Sequence, residues 1–170
     1  MFGERAVAAM FKEYKQLDDM KKVFGRAKRA DLTTSNKRRA LRAINLIKEK
    51  RCSKIKGRIC ADGRWQRTYT SREEASSLTI SLKSLMALLL IDAHEERDVA
   101  IFDVPGVYLH AKLPPDDKLV LLKIEGPFID IMCCEVTLEY KEDVILEGGK
   151  KVLYVQILQA LYGMIESALL

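Results

Sequence analysis

Apolar residues in this chain come in short bursts. The longest uninterrupted run, Leu85 to Ile91, is seven residues, where a bilayer span needs about 20. That pattern excludes a membrane-spanning helix, and the charged N-terminus lacks the apolar stretch of a signal peptide. Between the bursts two periodicities alternate. From Glu4 to Phe24 the apolar positions Val7, Met10, Phe11, Tyr14, Leu17 and Met20 recur at three- and four-residue steps, which predicts an amphipathic helix. Ser71-Arg72-Glu73-Glu74 fits a capping box, with Ser71 accepting from the third helical amide and Glu74 returning to the cap's own amide. A helix of roughly 20 residues should follow and end near Glu95 or Glu96. Its Leu78, Leu82, Leu85, Met86, Leu89 and Leu90 make a stripe expected to lie in the core.

Strand-type alternation appears elsewhere. Ala43–Ile47 and Lys54–Cys60 suit a β-hairpin with a basic tip, Lys48 to Ser53 between them. Side chains alternate faces along a strand, so Ile55 and Ile59 fall on one side and Lys54, Lys56 and Arg58 on the other. Asp62-Gly63 signals the next turn. Trp65 stands among Arg64, Gln66 and Arg67, a mixture that suits nucleic acid and an ordinary amphipathic loop alike. Val99–Val104 reads as a buried strand and Leu119–Ile124 as an apolar one, with a polar turn at Pro114-Pro115-Asp116-Asp117 before it. Phe128–Cys134 suits a short helix or irregular stretch. Val144–Leu146 and Val152–Gln156 suit a hairpin through Gly148-Gly149. Gly25 to Arg42, rich in Lys, Arg, Ser and Thr with little periodicity, is expected to be a linker or a poorly ordered loop. Ile157 to Leu170 begin a helical pattern that stops without Gly, Pro or a basic last turn, the expectation for an element cut short.

Length sets the scale of the fold. The 170 residues, 48% of them hydrophobic, support about one core and argue against disorder. The net charge of +5 hides a division. Residues 1 to 67 hold 20 Lys+Arg and 7 Asp+Glu, and the rest hold 9 and 17. A basic segment joined to an acidic one is expected where the first follows a polyanion and the second supports metal chemistry or a soluble surface. Cys52, Cys60, Cys133 and Cys134 lack C-x-x-C zinc spacing and read as reduced thiols. His94 and His110 are too few for a histidine metal cluster and read as a helix-end and a loop residue.

An ionised carboxylate on an apolar strand is costly unless compensated. Asp103, within Val99-Ala100-Ile101-Phe102-Asp103-Val104, is thus a candidate metal ligand, or a strand-end cap for the turn at Pro105-Gly106. Four segments in order then resemble the reverse transcriptase of copia-type (pseudoviral) long-terminal-repeat retrotransposons. Lys54-Ile-Lys-Gly-Arg-Ile-Cys-Ala-Asp-Gly63 resembles the basic fingers strand K-A-R-L-V-A-K-G, and Ser77 to His94 the Leu-rich helix after it. Asp103-Val-Pro-Gly-Val-Tyr-Leu-His-Ala-Lys-Leu113 resembles D-V-x-x-A-[FY]-L-x-x-x-L. Leu158-Gln-Ala-Leu-Tyr-Gly-Met164 resembles L-x-x-[SA]-L-Y-G-L. Each motif alone is weak, and their order and spacing make the match.

The resemblance implies an α/β (α+β) chain with right-hand polymerase-like fingers and a partial palm, truncated before the catalytic hairpin and thumb. Residues 1–40 would be a basic N-terminal helix and linker, and 41–170 an incomplete fingers/palm domain. It implies RNA-directed DNA polymerase chemistry, nucleotidyl transfer to a primer 3′-hydroxyl, with two magnesium ions in the intact enzyme. Asp103 matches the first catalytic, metal-binding aspartate. Arg58, and less closely Lys56 or Lys54, match the cations that grip the triphosphate, Arg as a planar fork of donors and Lys as a point charge. Gly106 and Val107 would lend backbone amides to the phosphates, and Tyr108 matches the aromatic beneath the incoming sugar. Implied partners are an RNA or DNA template–primer, a deoxynucleotide triphosphate and the rest of a polyprotein, with no membrane. The implied location is cytoplasmic, in a virus-like particle.

Two departures stand out. Where many members read Y-G-L-K-Q-A-P, this chain reads Tyr162-Gly-Met-Ile-Glu166-Ser-Ala168, so a carboxylate replaces the nucleotide-side Gln and would repel a triphosphate unless it points elsewhere. The second catalytic block, [YF]-x-D-D between apolar strands, is missing. Asp18-Asp19 follows a helical pattern and Asp116-Asp117 follows two prolines. With one acid of an expected three, no polymerase activity is expected from this chain alone. The alternatives are a non-catalytic nucleic-acid-binding remnant driven by the basic first 67 residues and an unrelated α/β interaction domain.

Overall fold

The computed structural model describes residues 3–68, 71, 80–102, 109, 113, 119–136 and 138–165. Its frame is a mixed α/β arrangement built on a curled sheet. The strands are β1 (Phe24–Arg26), β2 (Leu41–Glu49), β3 (Ile55–Ala61), β4 (Leu121–Glu125), β5 (Val144–Glu147) and β6 (Lys150–Ile157). They run in the order β1-β6-β4-β2-β3, and β5 pairs with β6 off that path. One pair is parallel, β2 with β4 at Leu41↔Leu122 and Arg42↔Lys123. The other four are antiparallel. The helices are α1 (Gly3–Lys15), α2 (Thr34–Arg39), α3 (Leu82–His94) and the single turn α4 (Phe128–Asp130).

The three- and four-residue spacing of α1 forms the expected amphipathic helix, although Val7 of the expected stripe is exposed. Ala6, Met10 and Tyr14 are buried along one face, and Leu17 extends that face into a wide π-helical turn, Gln16–Met20. Glu4 in the first turn and Lys12 and Lys15 in the last complement the helix dipole. The helical segment stops short of the expected Phe24. Lys22 takes a left-handed backbone, φ 52°, and Phe24 leaves to pair with Ile157 in the sheet. Gly57 lets α1 sit close on β3, because a Cβ there would stand 2.8 Å from the Ala9 carbonyl oxygen and the Met10 sulfur. The core joins Met10, Tyr14 and Leu17 to Leu41, Ile59, Leu122, Ile124, Leu153 and Val155. Tyr14 donates its hydroxyl proton to Asn45 Oδ1 at 2.9 Å, so this deeply placed phenol keeps a partner.

Several expectations need correction. The stretch 25–42 is not a linker. It holds the end of β1, a 3-10 turn at Arg29–Asp31, α2, and the start of β2. Thr33 caps α2 by accepting from the Asn36 N–H. Leu32 and Ala40 pack on a second apolar cluster, Ala27, Leu121, Val152 and Tyr154. Elements this short show no periodicity for a sequence to reveal. Residues 158–165 do not form the expected helix but run as turns after β6, because the Leu158 N–H is taken by the Val23 carbonyl.

The apolar helix ends where expected, at the cap residue Glu95, but begins at Leu82 with Ser81 as cap. The predicted box over residues 71–74 lies largely outside the described residues. Its core assignment fails: none of the thirteen residues of α3 is buried, and Leu82 and Leu90 are 74% and 73% exposed. Val99, Ile101 and Phe102 are likewise exposed and form no strand. Both hairpins do form as expected. Ala43↔Ala61 through Glu49↔Ile55 define the first, and Val144↔Leu153 through Glu147↔Lys150 the second. No described helix is long and apolar enough to cross a membrane.

Candidate nucleic-acid interface

The β2–β3 ribbon is amphipathic at period two. Gly57, Ile59 and Ala61 are buried on β3, while Lys56 and Arg58 between them are exposed. Register adds a point the sequence could not supply. Lys48 lies directly opposite Lys56, a like-charge cross-strand pair that costs stability in isolation. Lys50, Arg51 and Lys54 extend the cationic surface around the tip, all exposed, and none of these cations makes an ion pair among the described residues. The tip is tied to α1 by Arg5, which donates to the Ser53 carbonyl and lies 4.0 Å from Glu49. A ribbon whose exposed cations lie outside any ion pair among the described residues is suited to hold a polyanion, whose phosphates relieve their mutual repulsion.

Beside α1, Glu13 is the acid that faces this strand. Burial raises its pKa, against the pull of Lys56, the Ile59 backbone and Arg58. Burial likewise raises the Cys60 thiol above its ordinary value, against Arg58. Cys52 is exposed and Cys133 buried, and neither of them nor Cys60 is held in a disulfide among the described residues.

At its far end the ribbon is locked to the turn after β6. The Ala61 N–H donates to the Tyr162 carbonyl at 2.7 Å, and the Arg58 guanidinium stands 5.0 Å from the Tyr162 ring centre. Gly163 has φ +90° and packs so closely that a Cβ would lie 2.2 Å from the Ala61 carbonyl oxygen. Gln66, 1% exposed, accepts from the Ile165 N–H at 2.9 Å. Asp62 holds Arg64 through both carboxylate oxygens, at 2.6 to 3.1 Å, and those hydrogen bonds keep the Asp62 pKa below its usual range. The same turn segment accepts a third segment of the chain: the Leu113 N–H donates to the Leu158 carbonyl at 3.2 Å. Leu109 is buried in the core that includes Leu161 and Met164.

Of the residues expected at a site, Lys56 and Arg58 lie together on the exposed face of β3. Asp103, Gly106, Val107, Tyr108 and Glu166 lie outside the described residues, as does His110, while His94 closes α3 as expected. Among the described residues there is no group of three or more His, Cys, Asp or Glu able to hold a metal ion. Asp18 is not a free acid: it is mostly buried and accepts from the Tyr140 hydroxyl at 2.8 Å. Sequence reasoning missed Arg38 and Arg39, which it placed in a linker. The run Lys37-Arg38-Arg39 just before a strand was the available signal. No family model, curated protein or solved structure matches the chain.

Proposed function

We propose that the chain is the fingers and first part of the palm of a copia-type reverse transcriptase, and that its described part serves to hold nucleic acid by the phosphates. The supporting observation is the meeting of three segments that carry the resemblance. Residues 54–63, 103–113 and 158–164 are far apart in sequence, yet Ala61 and Leu113 both donate backbone hydrogen bonds into the last of them. The contact is what a common fingers–palm unit would require of these segments, and it is in that sense that it supports the reading.

In the intact enzyme the Arg58 fork and the Lys56 point charge would grip a polyphosphate. Asp103 would be the first magnesium ligand, and the metal would supply the activation of the attacking oxygen. The test is to translate the source transcript in frame past Leu170. An apolar strand followed by [YF]-x-D-D supports the reading, and an unrelated coding sequence overturns it. The purified 170 residues are expected to extend no primer in magnesium and deoxynucleotides.

The exposed cationic ribbon favours a second reading, nucleic-acid binding without catalysis. Binding to a primer–template is then expected to weaken linearly in log–log with salt, because counterion release drives it. Binding without a salt slope would remove both readings.

A further inference from the structure

We infer that the cleft between Trp65 and α2 takes an unpaired nucleotide of single-stranded nucleic acid, its base stacked on Trp65 and its phosphates on Arg38 and Arg39. The inference rests on the nucleic-acid reading above and gives it a specific subsite. Trp65 is 68% exposed, although an indole is among the costliest side chains to leave in water. It lines an open cleft of about 450 Å³ with Ser35, Arg38, Arg39 and Thr68. Among the described residues no acid lines that cleft, and neither arginine makes an ion pair.

Two other clefts among the described residues do not share this character. At Arg26 the guanidinium is held by Asp143 at 2.6 Å and Glu142 at 3.3 Å, both in the cleft wall. The cleft at Arg42 includes Glu125 and Asp130. Three other cations of these segments are held by acids: Lys37 by Glu147 at 2.9 Å, Arg42 by Glu125 at 3.4 Å and Arg64 by Asp62 at 2.6 Å. Arg38 and Arg39 are exposed and line the same cleft as Trp65.

The platform is also rigid. Trp65 sits in a 3-10 turn, Gly63–Thr68, whose Thr68 hydroxyl donates to the Trp65 carbonyl at 2.7 Å. Arg64 before it is clamped by Asp62, and Gln66 after it is buried and bonded to Ile165. An exposed indole on a backbone fixed from both sides loses little entropy when a base stacks on it. Every base has a π-face, so such a site tolerates sequence. A duplex hides its faces, so the ligand is single-stranded.

Trp65 is the only tryptophan, so its emission reports the site directly. Oligothymidylate titrated into the full chain is expected to quench Trp65 and to saturate at the affinity measured by anisotropy of a labelled oligonucleotide. Trp65→Ala is expected to weaken labelled-oligonucleotide binding roughly 5- to 160-fold, the range of base–aromatic stacking. Trp65→Phe should recover most of the loss, which separates stacking from misfolding. Arg38→Gln with Arg39→Gln should make the log–log salt slope shallower by about 1.4. Binding with unchanged Trp65 emission and an unaffected Trp65→Ala variant overturns this subsite and leaves the nucleic-acid reading standing. Equal quenching by duplex, or by thymidine monophosphate at the same nucleotide concentration, also overturns it. No binding of any oligonucleotide at low salt overturns both.

Discussion

The guanidinium of Arg58 stands over the ring of Tyr162, 5.0 Å from its centre. A β3 cation and an aromatic from the turn after β6 therefore meet where the Ala61 N–H also reaches the Tyr162 carbonyl. A cation over an exposed ring is worth about 0.5–1 kcal/mol. A double-mutant cycle with Arg58→Gln and Tyr162→Leu, read by denaturant unfolding, is expected to return a coupling of that size. Strict additivity would mean that the two groups act independently.

Gly163→Ala is expected to cost at least about 2 kcal/mol, because its Cβ would meet the Ala61 carbonyl, a backbone atom that cannot swing away. A thermal melt measures it. A loss near 1 kcal/mol, the ordinary cost of an L residue in that backbone region, would mean that the 158–164 turn shifts away from β3.

Apolar residues should split by partner and not by hydropathy. Leu90, 73% exposed, tolerates Gln within about 0.5 kcal/mol, whereas Leu122, fully buried, loses about 2 to 5 kcal/mol on truncation to Ala. Denaturant midpoints of the two variants decide it. Comparable losses would mean that α3 is packed as tightly as the sheet.

Glu13 gives a pH signature. Burial holds its folded-state pKa above the ordinary carboxyl value, so its contribution is fully present below the unfolded pKa and lost as pH rises through the folded one. Glu13→Gln is therefore expected to stabilise the protein near pH 7 and to have no such effect near pH 4. Unfolding curves at the two pH values test the sign. A gain at the lower pH alone contradicts it.

For the ribbon, Lys54→Gln, Lys56→Gln and Arg58→Gln together should lower affinity for single-stranded nucleic acid and make the log–log salt slope shallower by about 0.7 for each phosphate no longer neutralised. Filter binding across a salt series reads the slope. An unchanged slope would place the phosphates elsewhere.

What the sequence could determine was local. The alternation Ile55-Lys56-Gly57-Arg58-Ile59 decided which side of β3 carries charge, since successive side chains leave a strand on opposite faces whatever lies around it. The step pattern of α1 decided that Met10 and Tyr14 share a face, and Gly148-Gly149 between apolar runs decided the β5–β6 hairpin. Partnership was decided only in three dimensions. The Leu-rich pattern of α3 could state that the helix is apolar but not that another element would cover it, and none of its residues is buried. Phe24–Arg26 became a strand because β6 offered a free edge, and residues after Ile157 turned instead of coiling because Val23 and Leu113 took the Leu158 backbone groups. Periodicity is a property of covalent geometry along the chain. Burial, strand edges and the Arg58–Tyr162 contact depend on which distant groups have unmet hydrogen bonds and surface when the chain closes on itself.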